Sequence, residues 1–263
     1  MSMDLRKLNK YCLHTVREYK LLNIYGKKVA APYFMNIVER LFYDMMRRAE
    51  ISESQIEKLH KIYKSRIYPF AWFRGKGSPT EISSATMKIS KKVGINLHNA
   101  SPSIIREFMK LYGLGIDCSG FVYQVLWYAF NRIGELKIFK NSLNWEDRRK
   151  QTASRAGVFV FTKNSSIIIP PKNVRELDLI IIKSKEYTLD HIALILTHNN
   201  ELIVTQSVLN ALPTGVNISE YKVGVNPRFS FKPETGLDWE KLYKLKRLEF
   251  RRLKILNNNN SRI

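Results

Sequence analysis

The sequence predicts an α+β protein with a largely antiparallel sheet. Three observations carry that reading. Apolar residues recur at helical spacing up to Ser65, one strongly apolar helix is expected after Gly120, and five short strand signals then follow in close order between Val158 and Gln206.

The elements follow in chain order. Leu5, Leu8, Cys12 and Val16, then Phe34, Ile37, Val38, Leu41 and Phe42, fall at i, i+3, i+4 intervals; Gly26 and Pro32 mark the break between these two helices. Ser52 followed by Gln55 gives a capping-box start for a third helix. Residues 1–65 are therefore read as a helical N-terminal module, with a basic face of Arg47, Arg48, Lys58, Lys61 and Lys64 that is either solvated or able to grip a polyanion. The segment 66–79 turns aromatic and glycine-punctuated, and two further helices are expected after Pro79 and Pro102, within an insertion at about 78–112. Phe121, Val122, Val125, Leu126, Ala129, Phe130 and Ile133 form one wide stripe that stops at Gly134. A charged, irregular insertion at about 135–157 precedes strands at 158–161, 167–169, 177–182, 191–196 and 201–206. Beyond Pro213 the chain reads as loop, then as a basic segment from Trp239 to Leu256 that is either a helix or ends in a strand alternating at Leu248, Phe250 and Arg252. Residues 257–263 are expected to be a disordered, asparagine-rich tail.

The chain has 263 residues, 44% of them hydrophobic, which is enough to bury a real core. No apolar run reaches the ~20 residues that span a bilayer, and the first residues lack the apolar stretch of a signal peptide. The expectation is a protein that begins in the cytoplasm and reaches a cell wall only by release or non-classical export. Lys and Arg number 44 against 23 Asp and Glu, a formal charge of +21. Such an excess suits polyanionic surroundings: an anionic wall polymer, nucleic acid, or an acidic membrane surface. The basic residues are dispersed and no nucleic-acid motif accompanies them, so nucleic acid ranks below the wall polymer. The two cysteines, Cys12 and Cys118, are read as free thiols, with Cys12 in the core of the first helix. No metal-ligand spacing and no phosphate-binding glycine loop is present, and no cofactor is expected. The sequence does not speak to oligomeric state.

Cys118 stands at the head of the apolar helix, within Asp117-Cys118-Ser119-Gly120-Phe121-Val122. Unpaired N–H groups and the positive helix end favour negative charge there, so a thiolate and the oxyanion of acyl transfer are both served. This run resembles the nucleophile motif of the NlpC family of papain-like cell-wall cysteine peptidases. Glu176-Leu177-Asp178-Leu179-Ile180-Ile181-Ile182 looks like the family's following strand, without its glycine before the aspartate. Asp190-His191-Ile192-Ala193-Leu194-Ile195-Leu196 looks like its histidine strand, and Pro69-Phe70-Ala71-Trp72-Phe73-Arg74-Gly75 is a fainter echo of its Pro-Tyr-x-Trp-Gly segment. The resemblance implies a papain-like core within residues 66–256 and a cysteine peptidase acting on peptidoglycan stem peptides. It also implies substrate contacts from Asp117 and Ser119, and a cleft wall that includes Tyr68 and Trp72. Asp117 reads equally as a plain helix N-cap.

A thiol nucleophile needs a base and a group that orients the base. Of the five histidines, His14 and His60 fall on N-terminal helices, His98 in a loop and His198 beside a turn, whereas His191 opens a strand. That is where the resembled family keeps its base. With Asn199 and Asn200 as central turn residues, Ala193 comes opposite Gln206, and His191, Ala193 and Gln206 share a face. The family accepts His, Asn or Gln as the third residue, so Gln206 is chosen, with Thr205 as the residue a one-place slip would substitute. A thiol acyltransferase or peptidase with intracellular substrates, and an inert basic polyanion binder, are the competing functions.

Overall fold

A computed structural model describes residues 3–34, 52, 54, 57, 74–149, 151–183, 189–209, 215–229 and 237–257. Helix α1 (Leu5–Lys20) is capped by Asp4, whose carboxylate accepts the Lys7 N–H at 3.0 Å. Its buried residues Leu8, Cys12, Val16 and Tyr19 lie in one continuous core with Phe121, Val122 and Val125. Asn9 fastens the helix to the sheet, donating to the Thr197 carbonyl at 2.8 Å and accepting the Thr197 N–H at 2.9 Å. The start of the expected N-terminal module is thus part of the main core.

Where a break between two helices was expected, Leu22–Ile24 (β1) and Lys27–Val29 (β2) form an antiparallel hairpin. Tyr25 and Gly26 turn it with φ of 50° and 79°, the positive pair a tight hairpin turn needs. The other expected N-terminal helices, with their basic face, lie almost wholly outside the described residues, as does the tail beyond Asn257.

The helices expected after Pro79 and Pro102 are present. Ser78 and Glu81 close a capping box on α2 (Pro79–Val93), and Ser101 caps α3 (Pro102–Leu111). Helix α4 (Cys118–Arg132) carries the apolar stripe, buried along most of its length, and Gly134 at φ 78° follows its end. The short α5 (Leu136–Ser142) comes next.

Val158–Phe161 is a 3₁₀ turn rather than a strand. Hydroxyls take the carbonyls a ladder would need: Thr162 Oγ1 donates to Phe159 O, Ser165 Oγ to Val160 O and Ser166 Oγ to Phe161 O at 3.0, 3.0 and 2.6 Å.

Seven strands make the main sheet: β3 (Ser166–Ile168), β4 (Leu179–Lys183), β5 (Leu189–His198), β6 (Glu201–Val208), β7 (Gly215–Lys222), β8 (Arg228–Phe229) and, after helix α6 (Trp239–Lys244), β9 (Leu248–Leu253). Helix α7 (Lys254–Asn257) ends the described chain. The order is β3-β9-β4-β5-β6-β7-β8, and every neighbouring pair is antiparallel. The basic C-terminal segment is therefore both short helix and strand. Strands β7 and β8 replace the loop expected beyond Pro213; inward-facing Ser219 and outward-facing Ile218 conceal the alternation of β7.

One sheet face, with Leu179, Ile181, Ile192, Leu194 and Leu196, packs on α1 and α4. The other carries Ile180, Ile182, Ala193, Ile195 and Val204 under Tyr221, Phe229, Trp239 and Phe250. No helix among the described residues is long and apolar enough to cross a membrane.

A buried ion pair ties the first strands together. Arg252 of β9 grips both oxygens of Asp178 at 2.7 and 2.8 Å, and Arg175 N–H adds a bond at 2.7 Å. Burial still holds the Asp178 carboxyl above its ordinary pKa, against the pull of Arg252 and Arg175. Breaking such a pair strands the remaining charge in the core. Asp178→Asn is expected to lower stability by about 3–5 kcal/mol, measured as the loss of unfolding free energy in urea.

Candidate active site

The residues before α4 are held from three directions. Ile116 donates to Pro32 O at 3.1 Å and accepts from Phe34 N at 3.2 Å; Asp117 N–H donates to Gly75 O at 2.9 Å; Ser207 Oγ of β6 donates to Ile116 O at 2.7 Å. Tyr33 and Lys76 form bridges on either side of Ile116, one parallel and one antiparallel. Gly115 and Gly120 permit this crowding. A Cβ on Gly115 would stand 2.5 Å from Pro32 O, and one on Gly120 2.3 Å from Gly75 O.

Asp117 is the N-cap: its Oδ1 accepts the Gly120 N–H at 2.6 Å. Both carboxylate oxygens also receive Lys76 Nζ, at 2.7 and 2.6 Å, and the same ammonium reaches Ser119 Oγ at 2.5 Å. The two residues expected to contact substrate are thereby bound to Lys76, a residue 7% exposed.

Cys118 is a buried free thiol, with the backbone N–H groups of Ile192 and Ser119 directed at its sulfur. Ile192 directly follows His191, so Cys118 sits against the head of the strand that carries His191. Pairing of β5 with β6 runs from His198–Glu201 to Leu194–Thr205. Both strands continue past that point, toward the Ile116–Cys118 turn.

His191 Nε2 meets Gln206 Oε1 at 2.7 Å. An amide oxygen only accepts, so Nε2 carries a proton in this contact. Gln206 Nε2 donates in turn to Asn217 Oδ1 of β7 at 3.1 Å. The register is the one that Asn199 and Asn200, at φ 52° and 63°, impose on the hairpin. Thr205 faces the other way and donates to Leu194 O at 2.9 Å. Cys12 is a core residue, fully buried, its Sγ 3.9 Å from Val125 O.

Burial is the main influence on the Cys118 thiol and Asp117 the next; together they push its pKa up to about 11 against the opposing Ile192 N–H, Lys76 and Ser119 N–H. The expected lowering by the helix end is outweighed. Thiolate formation then calls for a partner that takes the proton as attack begins.

Tyr33 stands beside the pair. Burial, the Cys118 thiol and Asp117 all hold its phenol protonated. The rings of Trp239 and His191 lie 6.3 Å apart, and the fully buried Trp239 Nε1 has no hydrogen-bond partner among the described residues. Tyr68 and Trp72 lie outside the described residues, although Gly75 and Lys76, which follow them, reach the site. Lys76, Tyr33, Asn217 and Trp239 were missed. Only Tyr33 had a local signal, the Pro32-Tyr33 pair; the others are assembled by long-range packing. Among the described residues no cluster of three or more His, Cys, Asp or Glu could hold a metal.

No known protein-family model, curated protein sequence or solved structure matches this chain.

Without its base, the thiol should behave as burial dictates. In His191→Ala, alkylation of Cys118 is expected to be slow at neutral pH and to rise through about 11, followed by mass spectrometry of the Cys118 peptide. A midpoint near the ordinary ~8.5 would show that burial does not govern this thiol.

Proposed function

We propose that the protein is a cysteine hydrolase that cleaves an amide bond, most naturally within peptidoglycan stem peptides. The observation that carries this reading is the pairing of His191 with Gln206 at 2.7 Å while the next residue, Ile192, presents its N–H to the Cys118 sulfur. A nucleophile, a base and an orienting amide are three parts of one mechanism.

Cys118 gives its proton to His191 Nδ1 as its sulfur attacks the amide carbon. The C–N bond then breaks, His191 returns the proton to the leaving amine, and water, activated by the same imidazole, hydrolyses the thioester. Backbone N–H groups at the start of α4 favour the oxyanion. The uncharged phenol of Tyr33 is a further donor at the same edge. Asp117 is committed to Lys76, which favours an internal peptide bond over one beside a free amino end.

The order of elements supports a divergent papain-like core of the NlpC kind: nucleophile helix, strand, histidine strand, then the strand with the orienting residue. The +21 charge suits an anionic wall polymer as a partner. Incubating purified peptidoglycan with wild type and with Cys118→Ala, then profiling muropeptides by mass spectrometry, tests the reading. New amide-cleaved species are expected with wild type alone; identical profiles would remove peptidoglycan hydrolysis.

A further inference from the structure

Lys76 presents a problem that the hydrolase reading does not solve. Lysine is among the residues least often buried, yet this one is 7% exposed and lies beside the nucleophile. Its backbone already holds the strap across α4: the Lys76 carbonyl accepts Gln124 Nε2 at 2.6 Å, and the preceding Gly75 carbonyl accepts Asp117 N–H at 2.9 Å. Those bonds need no ammonium. The side chain lies along Gly120, where an added Cβ would stand 2.7 Å from Lys76 Cδ. That path delivers Nζ to Asp117 at 2.6 Å and Ser119 at 2.5 Å, the residues on either side of Cys118.

The nucleophile's own cap creates the need for this charge. Asp117 must be a carboxylate or its amide equivalent to hold the start of α4, but a bare carboxylate next to Cys118 opposes formation of a thiolate. We propose that Lys76 is a positioning residue that neutralises the Asp117 cap, so that α4 keeps its anchor without a net negative charge beside the nucleophile. The groups that act on Cys118 are Asp117 and Lys76 on the turn and strap, Tyr33 on the parallel bridge, and the backbone N–H groups of Ser119 and Ile192. Of these, Lys76 is the permanent cation. The assignment rests on Cys118 being the nucleophile and is indifferent to the substrate.

The test is the pH profile of Cys118 alkylation by iodoacetamide, read by mass spectrometry on full-length protein. In Lys76→Met, which keeps the apolar stem and drops the charge, the midpoint is expected to move up by about one pH unit, a roughly tenfold slower reaction at any lower pH. Lys76→Arg should stay near wild type. Adding Asp117→Asn to Lys76→Met should restore the midpoint, because the carboxylate that needed neutralising is gone. Should Lys76→Met fail to fold by circular dichroism, Asp117→Asn alone remains decisive: it keeps an amide cap and is expected to lower the midpoint. An unchanged midpoint in folded Lys76→Met, or in Asp117→Asn, would overturn the proposal. So would a shift that Asp117→Asn does not reverse, since Lys76 would then be only a structural prop. Expected midpoint shifts with unchanged muropeptides would refute the substrate and leave this assignment standing. Cleavage by wild type with a flat alkylation series would do the reverse.

Discussion

The hydrogen bonds around Ile116 and Asp117 decide where Cys118 stands. Pro32, Phe34, Gly75 and Ser207 belong to three separate stretches of chain, and each fastens the turn that launches α4. A helix with so apolar a stripe could slide against the sheet at little cost in burial, since hydrophobic contact has no direction. The directional bonds remove that freedom. They also explain the glycines: Gly115 and Gly120 have no room for a Cβ because backbone from Pro32 and Gly75 lies against them.

The same turn sets an electrostatic conflict. Burial brings the thiol into contact with the strand that carries His191, and burial also raises the thiol's pKa. The helix N-terminus and two backbone N–H groups work against that rise without cancelling it. Chemistry at Cys118 thus depends on proton transfer to a neighbour rather than on a standing thiolate. His191, whose Nε2 meets Gln206 Oε1 at 2.7 Å, is the candidate for that neighbour.

What the sequence disclosed follows the range of the forces involved. Helix α4, the inserted helices and the β5–β6 hairpin are set by local periodicity, caps and the Asn199-Asn200 turn, and a two-residue turn fixes register over the whole hairpin; Gln206 was therefore readable. Lys76 was not, because nothing near it in the chain indicates that it crosses the start of α4. Strand β7 was hidden by a polar inward face, where Asn217 meets Gln206 and Ser219 is buried. Val158–Phe161 has strand composition, but neighbouring hydroxyls satisfy its carbonyls locally. Leu177 shows the opposite case. It takes φ 67° where the resembled family has glycine, a strain of roughly 1–2 kcal/mol, and its complete burial offsets a cost of that size.

Charge is sorted by depth in the same way. The buried cations among the described residues are Lys76, Arg251 and Arg252, and they meet Asp117, Glu249 and Asp178 respectively. Burial alone would raise the Glu249 carboxyl, but Lys183 and Arg251 together hold it below its ordinary value, so that pair stays ionised at neutral pH. Among the described residues each buried cation is thus matched by a carboxylate, and the described interior carries little net charge. Exposed charge is screened by salt over about 10 Å at 0.1 M ionic strength. The balance at Cys118 is set at contact distance by Asp117 and the buried Lys76 and is far less open to salt.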